Sequence, residues 1–482
     1  MTGCYFMWLA TAIIPSASEN IRLVSVFNSD EATQLELLRQ ALSQGTLRID
    51  YSQYGHLQFN LALIPLFLMS FLAPVTDQSI IIALRLVSAV AGAATVLCTF
   101  FLARRYFGRL VGWVSACLLC GISLNFIEWS VYAHPDVPQL FFLMLGLYFC
   151  CRLGGDKSRE SLVLASASAG LAFACKYSGL FLLPVIWLVA VGGNAGRDEV
   201  DPFRSAVLLV RKWARGLTLA AGMGSVLLGL VMRVELVARF LTSDGAVESS
   251  NLPVIREFRI LLGVTGCALI VLGILRWPWR VVARSELVAR TLSQVGISVA
   301  AFITAFVIGS PFSLWKLNFL NGMISQSRHV AFGHIFRGEG GVQGWLSLLV
   351  SQDLLGVTFT AIAAVGFLYL FHDLVTKEAK HLSIGQRLAR QVIRPEVILW
   401  LWVLLYLSFL VVRVRMLEPR YLLPVLPVLL ILSVQFLAQL ARASLGAASR
   451  KLALPVLVLF LVFGAVDFAS SITRVQEFRA TE

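Results

Sequence analysis

The chain has 482 residues, of which 58% are hydrophobic and only 14% are charged, and its mean hydropathy is +0.80. A soluble protein of this length could not cover so apolar a composition with polar groups, and the apolar runs are too continuous for barrel strands. The sequence therefore predicts an all-α polytopic membrane protein. The net charge of +13 fits basic cytoplasmic loops and excludes nucleic acid as the expected partner, because no basic–aromatic stripe lies outside the apolar runs.

About 13 apolar segments are predicted to cross the membrane. Their cores are residues 4–18, 80–103, 110–127, 137–151, 161–175, 178–192, 217–234, 259–275, 292–309, 353–371, 396–412, 421–441 and 452–471. With this assignment six Lys/Arg-rich loops fall on one side, which the positive-inside rule makes cytoplasmic. These loops are 104–109, 152–159, 197–215, 276–290, 377–394 and 442–451.

One further apolar segment, residues 56–72, would reverse the side of every later basic loop if it crossed the membrane. It is therefore predicted to be an interfacial or re-entrant helix on the outer side. The chain, 1–482, is expected to form one membrane domain. Two outer segments stand out: the first outer loop, 28–78, with juxtamembrane helices, and the loop 310–345, a candidate substrate lid.

The first outer loop contains the stretch NSDEA at positions 28–32, soon after an apolar run. Its asparagine can cap a helix, Glu31 completes a pair resembling a capping box, and Gly45 suits the end of the helix. The pattern predicts a helix over 30–44 that lies along the membrane surface. Asp30 and Glu31 then either complement the helix dipole or take part in chemistry.

Two further polar motifs fall on the same predicted side. In YAHPD (132–136) the proline disfavours helix at His134, and Asp136 begins the next span, where it is either an ordinary N-terminal acid or a functional one. In KYSG, Lys176 and Tyr177 lie between two apolar halves. A boundary lysine can extend to the interface, but charge within apolar segments is costly and marks a functional site by default. The Lys176 ammonium at this position could bind a phosphate group.

The later outer segments are also rich in polar and aromatic residues. Arg420, in EPRYLLPVLP, is either an interfacial anchor or a functional cation at the start of a span. The loop 310–345 carries Arg328, His329 and His334 before a glycine-rich end, and it is either a solvated loop or a lid. With His56, the outer histidines and carboxylates leave a divalent metal open as a cofactor, although their spacing defines no ligand set. The eight cysteines all lie in apolar segments and are expected to be packing residues.

The order of these motifs resembles that of the GT-C glycosyltransferases. An acidic pair is followed by a Pro-Asp loop, Lys-Tyr-Ser-Gly between short spans, Ser-Pro before a His/Gly-rich loop, and finally Arg-Tyr-Leu-Leu-Pro. The order looks most similar to the bacterial family-39-like branch, related to protein O-mannosyltransferases and aminoarabinose transferases. The resemblance covers nearly the whole chain. Each motif is short and has little specificity alone. The specificity of the resemblance comes from the order of the motifs and from their location on one predicted side of the membrane.

This resemblance implies a GT-C fold with catalytic loops above a helical bundle in the inner membrane. Such enzymes take a sugar from a polyprenyl-monophosphate carrier on the periplasmic side and transfer it to a lipid, glycan or protein acceptor. The resemblance implies that Asp30 and Glu31 form the catalytic acidic pair, that Asp136 is a second-loop acid, and that Lys176 and Arg420 contact the carrier phosphate. The other candidate substrate or carrier contacts are Tyr177, His56, His134, Arg328, His329 and His334.

The chemistry of such a transfer needs these residue types. The acceptor hydroxyl must lose its proton as it attacks the anomeric carbon, and a carboxylate can take it. The phosphate leaves as a stable anion, so it needs fixed cations rather than an acid. One base with cations is enough, unlike the paired carboxylates of glycosidases, and a single displacement inverts the anomeric centre.

Three other functions stay open at this stage. A lipid-linked sugar transporter or flippase would place its polar site near the bilayer midplane, whereas the polar motifs here lie in outer loops. A polymerase or ligase that uses diphosphate-linked glycans would need much the same site, with a base for the acceptor and cations for the leaving phosphate. A non-catalytic membrane subunit would tolerate Asp30→Asn without loss of function.

Overall fold

The computed structural model describes residues 29–46, 49, 51, 53–121, 123–194, 223, 226, 286–313, 318–332, 341–351, 354–376 and 391–444. Every regular element in these ranges is helical, which confirms the all-α prediction. Within the described residues there are 14 α-helices: α1 (Ser29–Ser43), α2 (Leu57–Ser70), α3 (Asp77–Phe107), α4 (Arg109–Gly121), α5 (Leu124–Val131), α6 (Asp136–Asp156), α7 (Arg159–Cys175), α8 (Leu182–Asn194), α9 (Glu286–Gly309), α10 (Asn318–Phe332), α11 (Val342–Leu349), α12 (Gly356–Thr376), α13 (Pro395–Arg413) and α14 (Leu426–Ser444). Short 3₁₀ helices, Tyr177–Phe181 and Pro419–Leu422, precede α8 and α14.

Four described helices are long and apolar enough to cross a membrane: α3, α6, α13 and the Leu292–Gly309 part of α9. The predicted span 110–127 is instead two helices, α4 and α5, whose axes differ by 68°, and counting them as one bent span makes five. The predicted spans 4–18, 259–275 and 452–471, and nearly all of 217–234, lie outside the described residues. The protein is a multi-pass membrane protein, and the count of 13 spans stays a prediction.

Residues 28–78, the predicted first outer loop, contain two described helices. Helix α1 ends where expected, because Gly45 adopts a φ of +62° and the Thr46 N–H bonds the Ala41 carbonyl at 3.0 Å. Helix α2 has 14 residues, fewer than the roughly 20 that a span needs. One of its faces, with Phe59 and Ala62, is buried, and its other face exposes apolar side chains.

The centre of the bundle is built from α3, α6, α7 and α9. Helix α7 packs against both α6 and α9, and α3 packs against α6. Small residues allow the close approach: a Cβ added at Gly170 of α7 would lie 2.2 Å from the Phe302 carbonyl oxygen of α9. This packing fixes the ends of α6 and α7, from which Asp136 and Lys176 project.

We predict that Gly170→Ala lowers the thermal unfolding midpoint of the detergent-purified protein, because its Cβ cannot fit against the backbone of α9. Gly296→Ala in α9 is the matched control, since nothing lies within 4 Å of a Cβ added there. Alanine favours a helix over glycine by about 1 kcal/mol, so the control should be neutral or slightly stabilising. Equal midpoints for the two variants would contradict the close packing of α7 on α9.

Candidate active site

The candidate site forms where four chain segments meet. Asp30 lies in the first turn of α1, and Asp136 is the first residue of α6. Lys176 follows the last residue of α7 in an extended conformation, and Arg420 lies in the second 3₁₀ helix. Gln139 holds the lysine turn against α6, because its side-chain amide donates to the Lys176 carbonyl at 3.0 Å and to Ser178 Oγ at 2.8 Å.

Five side chains from these segments form a continuous charged network: Arg420, Asp30, His134, Asp136 and Lys176. Arg420 Nη1 donates to Asp30 Oδ2 at 2.7 Å, and Lys176 Nζ donates to Asp136 Oδ1 at 2.5 Å. His134 lies between the carboxylates, with Nε2 3.3 Å from Asp30 Oδ2 and Nδ1 2.7 Å from Asp136 Oδ2. The structure thus brings together five of the residues that the sequence singled out.

Asp30 is the member of this network that is most open to a substrate. Its side chain is 36% exposed, whereas that of Arg420 is 10%, Lys176 12%, Asp136 4% and His134 0% exposed. Hydrogen bonding to His134 lowers the pKa of Asp30, burial opposes this effect, and the Arg420 charge lowers the pKa further, so that the carboxyl is ionised well below its usual range. Burial lowers the pKa of Lys176, and the charge of Asp136 opposes that shift.

Aromatic rings surround the two cations. The Lys176 ammonium lies 4.7 Å from the ring centre of Tyr421 and 5.5 Å from that of Tyr54. The Arg420 guanidinium lies 4.8 Å from the ring of Trp129. Such contacts stabilise a desolvated cation by about 2 kcal/mol. As site residues, Tyr54 and Trp129 were missed by the sequence analysis, because an aromatic residue in an outer loop equally fits an interfacial anchor.

A cavity of about 220 Å³ opens beside the network at Lys176. Its polar lining residues are Gln53, Lys176, Ser178, Gln326 and Ser327. The other lining residues are apolar or aromatic, and most of them come from the first 3₁₀ helix, α10, α13 and the loop after α13. The apolar lining residues are Leu180, Phe181, Met323, Val330, Phe409, Leu410 and Val414.

The structure places Glu31 differently from its neighbour Asp30. Glu31 is fully buried, and it accepts hydrogen bonds from Arg85 Nε at 3.0 Å, from Arg85 Nη2 at 2.8 Å and from the Ala133 N–H at 2.6 Å. These contacts tie α1 to α3 and to the loop that carries His134. A signal for this pairing was present in the sequence, since Arg85 stands inside an apolar span and a buried charge requires a partner.

Two further predicted contacts, His56 and Tyr177, are described and are not members of the network. His56 is buried and contacts the Tyr51 carbonyl at 2.7 Å, and the Tyr177 hydroxyl donates to the Tyr54 carbonyl at 3.3 Å. In the predicted lid, His329 of α10 is exposed, the side chain of Arg328 is not described, and His334 lies outside the described residues.

The predicted lid segment is hydrogen-bonded to the loop that leads to Arg420. The Arg415 N–H donates to the Val330 carbonyl at 2.8 Å, and Trp345 Nε1 donates to the Val414 carbonyl at 3.1 Å. Within the described part of the chain, no group of three His, Cys, Asp or Glu side chains has a geometry that could hold a metal ion. Lys176 and Arg420 already bond the two network carboxylates.

Residues 62–210 match the family model described as dolichyl-phosphate-mannose-protein mannosyltransferase. The predicted resemblance to the GT-C glycosyltransferases is confirmed. The matched stretch contains His134, Asp136 and Lys176, whereas Asp30 and Arg420 lie outside it. An uncharacterised protein of Aquifex aeolicus (strain VF5) is 34% identical over 101 residues, which are 21% of this chain and 20% of that protein.

Two solved structures match most of the chain with TM-scores below 0.5. The Archaeoglobus fulgidus oligosaccharyltransferase in the apo form is 15% identical, with a TM-score of 0.49, over 98% of this chain and 56% of that one. ArnT from Cupriavidus metallidurans, bound to undecaprenyl phosphate, is 16% identical, with a TM-score of 0.42, over 91% of this chain and 66% of that one. The chain thus spans less than two thirds of each relative's length, and scores below 0.5 support no residue-level correspondence.

We predict that Glu31→Gln destabilises the protein by about 3–5 kcal/mol, because it leaves the buried Arg85 guanidinium without a counter-charge. Thermal unfolding in detergent would measure the loss. Glu36→Gln on the same helix is the control, since Glu36 and Arg39 form a pair whose side chains are 60% and 51% exposed, and such pairs add little stability. If the two variants unfold at the same temperature, the Glu31–Arg85 pair does not hold α1 in place.

Proposed function

We propose that this protein is an integral membrane glycosyltransferase. It transfers a sugar from a polyprenyl-monophosphate carrier to a lipid, glycan or protein acceptor on the periplasmic face of the inner membrane, with inversion of the anomeric centre. The observation that carries the proposal is the junction at Lys176, where a network with two cations and one accessible carboxylate adjoins an apolar cavity. The family match over residues 62–210 supports the same class of donor.

The two cations suit the leaving group of this reaction. In the donor the phosphate is a diester with one negative charge, and it leaves as a monoester that gains a second. Fixed positive groups therefore stabilise the transition state more than the bound donor. Lys176 supplies a compact charge at the cavity, and Arg420 supplies a planar fork of donors suited to phosphate oxygens. Both are already positioned by carboxylates and aromatic rings, so little reorganisation is needed when the donor arrives.

The accessible carboxylate suits the acceptor. Asp30 is ionised, and its side chain reaches solvent on the side where α1 covers the bundle. An acceptor hydroxyl hydrogen-bonded to Asp30 would attack the anomeric carbon from the side opposite the phosphate. Glu31 has its oxygens committed to Arg85 and to a backbone N–H, so its contacts support a positioning role for it. Asp136 is buried against Lys176, and we assign it to holding that cation.

The apolar and aromatic lining of the cavity suits the isoprenoid chain of the carrier. The rings of Phe181 and Phe409 lie 4.3 Å apart there, and Leu410 and Val414 continue the surface. A carrier whose phosphate contacts Lys176 would lay its first isoprene units on these side chains. A free nucleotide sugar has no chain to bury at this position.

We predict that Asp30→Asn lowers kcat by roughly 100- to 10,000-fold with little change in KM, because the amide cannot accept the acceptor's proton. Transfer from a panel of radiolabelled undecaprenyl-phosphate sugars, in membranes at matched expression, measures this. Asp77→Asn is the control, since Asp77 is a similarly exposed acid at the start of α3 that pairs with Arg39. If Asp30→Asn turns over like the wild type, Asp30 is not the catalytic base. If the wild type transfers no sugar from any donor, the proposed function is wrong.

We also predict that Phe409→Ala raises KM about tenfold for an undecaprenyl donor, because it removes part of the apolar wall. A donor with a short isoprenoid chain that does not reach Phe409 should lose nothing. Phe371→Ala is the control, since that side chain is 58% exposed and lies on α12. An equal KM change for long and short donors would place the isoprenoid elsewhere.

A further inference from the structure

The transferred sugar needs a binding site between the two ends of the proposed reaction centre. In the proposed reaction the carrier phosphate lies at Lys176, in the cavity, and the acceptor hydroxyl lies at the accessible Asp30. The anomeric carbon has to reach both groups, so the sugar ring occupies the interval between them. The side chains that border this interval are therefore the ones that can recognise the sugar.

Tyr51 and Gln53 connect the mouth of the cavity to the surroundings of Asp30. The exposed side chain of Gln53 lines the cavity that contains Lys176. The hydroxyl of Tyr51 donates to Gln53 Oε1 at 3.0 Å. Burial raises the pKa of that hydroxyl and the charge of Asp30 raises it further, whereas the charge of Arg420 lowers it. Tyr51 therefore lies within the electrostatic range of the Asp30–Arg420 pair, while its hydrogen-bond partner lines the cavity.

The chemistry of these two side chains matches that of a sugar ring. The ring of Tyr51 is partly buried and lies 5.8 Å from the ring of Tyr54, which is itself 5.5 Å from the Lys176 ammonium. The negative face of an aromatic ring attracts the C–H bonds on the apolar face of a sugar. The amide of Gln53 has two donors and an acceptor, which suits hydroxyl groups. Neither side chain carries a charge, so the pair suits an uncharged sugar.

The backbone around this pair is fixed by contacts with the ends of α7 and α9. A Cβ added at Gly55 would overlap the Ala174 carbonyl oxygen of α7, so the two backbones are in direct contact. The His56 N–H donates to Ser310 Oγ, just after α9, at 2.9 Å. His56 Nε2 lies 2.7 Å from the Tyr51 carbonyl oxygen and so holds the backbone of Tyr51 itself. The pair is thus presented from a preorganised backbone, as precise recognition requires.

We propose that Tyr51 and Gln53 form the subsite for the transferred sugar. The ring of Tyr51 lies against the apolar face of the sugar, and the amide of Gln53 bonds its hydroxyl groups. This inference rests on the proposed function and adds the substrate class, an uncharged sugar. Both residues determine specificity without taking part in bond making, and His56 is a positioning residue that acts through Tyr51. Because Lys176 and the apolar lining bind the carrier, loss of the pair weakens binding of the donor but not of the sugar-free carrier.

The test compares the donor with the same carrier lacking its sugar. Full-length wild type, Tyr51→Leu, Tyr51→Phe and Gln53→Ala are assayed in membranes at matched expression, which supply the acceptor. Radiolabelled undecaprenyl phosphate carrying glucose, galactose, mannose or glucuronate gives kcat and KM, and sugar-free undecaprenyl phosphate gives an inhibition constant. The controls are Tyr369→Leu and Gln40→Ala, since Tyr369 of α12 is 43% exposed and Gln40 of α1 is also exposed.

We expect Tyr51→Leu to raise KM for the preferred donor roughly tenfold, because the aromatic face is lost. Tyr51→Phe keeps the ring and should stay within about threefold of the wild type. Gln53→Ala should lower kcat/KM for the preferred donor roughly 3- to 10-fold, and that for its epimers by less, so that the preference between epimers narrows. The inhibition constant of sugar-free undecaprenyl phosphate should not change in any variant, and the two controls should match the wild type.

Several results would overturn the inference. Equal weakening of the donor and the sugar-free carrier would mean that the pair supports the carrier site, and a lower kcat with unchanged KM would assign it to the acceptor. A wild-type preference for glucuronate would contradict the uncharged sugar. Gln53→Ala with the wild-type epimer preference would exclude the amide contact, and this exposed position decides the matter if Tyr51→Leu fails to fold.

The outcome also separates this inference from the proposed function. In each of the cases above, transfer by the wild type leaves the proposed function standing. A wild type that transfers no sugar from any donor contradicts both.

Discussion

The site depends on the balance of buried charge. Two carboxylates and two cations stand at the end of an apolar bundle, where an isolated charge would cost several kcal/mol. Each has a partner: Asp30 with Arg420, and Asp136 with Lys176. If a bound phosphate drew either cation away, a carboxylate would be left without its counter-charge. The phosphate of the donor therefore has to bind to these ion pairs without breaking them. The aromatic rings over Lys176 and Arg420 help here, because they stabilise each cation without using its hydrogen-bond donors.

The helical bundle serves to bring distant parts of the sequence to this one point. Asp30 and Arg420 are 390 positions apart, yet they share a hydrogen bond of 2.7 Å. Precision comes from packing that is remote from the chemistry: Gly170 lets α7 approach α9, and Gln139 fixes the turn that presents Lys176. The loop before Arg420 also bonds the carbonyl of Val330 in α10. A movement of α10 on substrate binding would therefore be transmitted to Arg420, which links the predicted lid to the cation that it would cover.

Much of this arrangement was predictable from sequence, and the remainder was not for physical reasons. Long apolar runs such as 80–103 gave the helices of the bundle, and the common side of the polar motifs predicted that Asp30, Asp136, Lys176 and Arg420 would meet. Hydropathy could not detect the break between α4 and α5, because both halves of the predicted span are apolar. The pairing of Glu31 with Arg85 was also missed, since local spacing says nothing about which distant charge satisfies a buried one.

The adjacent carboxylates of α1 have different surroundings because successive residues on a helix point about 100° apart. Only one of the two side chains can face the bundle. Glu31 does so, and its pair with Arg85 fixes the rotation of α1 about its own axis. That rotation directs Asp30 to the neighbouring sector, where it meets Arg420 and His134 and still reaches solvent. The acid in the core therefore sets the position of the acid at the surface, and a one-residue shift of the pair along α1 would turn the aspartate by about 100° and separate it from the network.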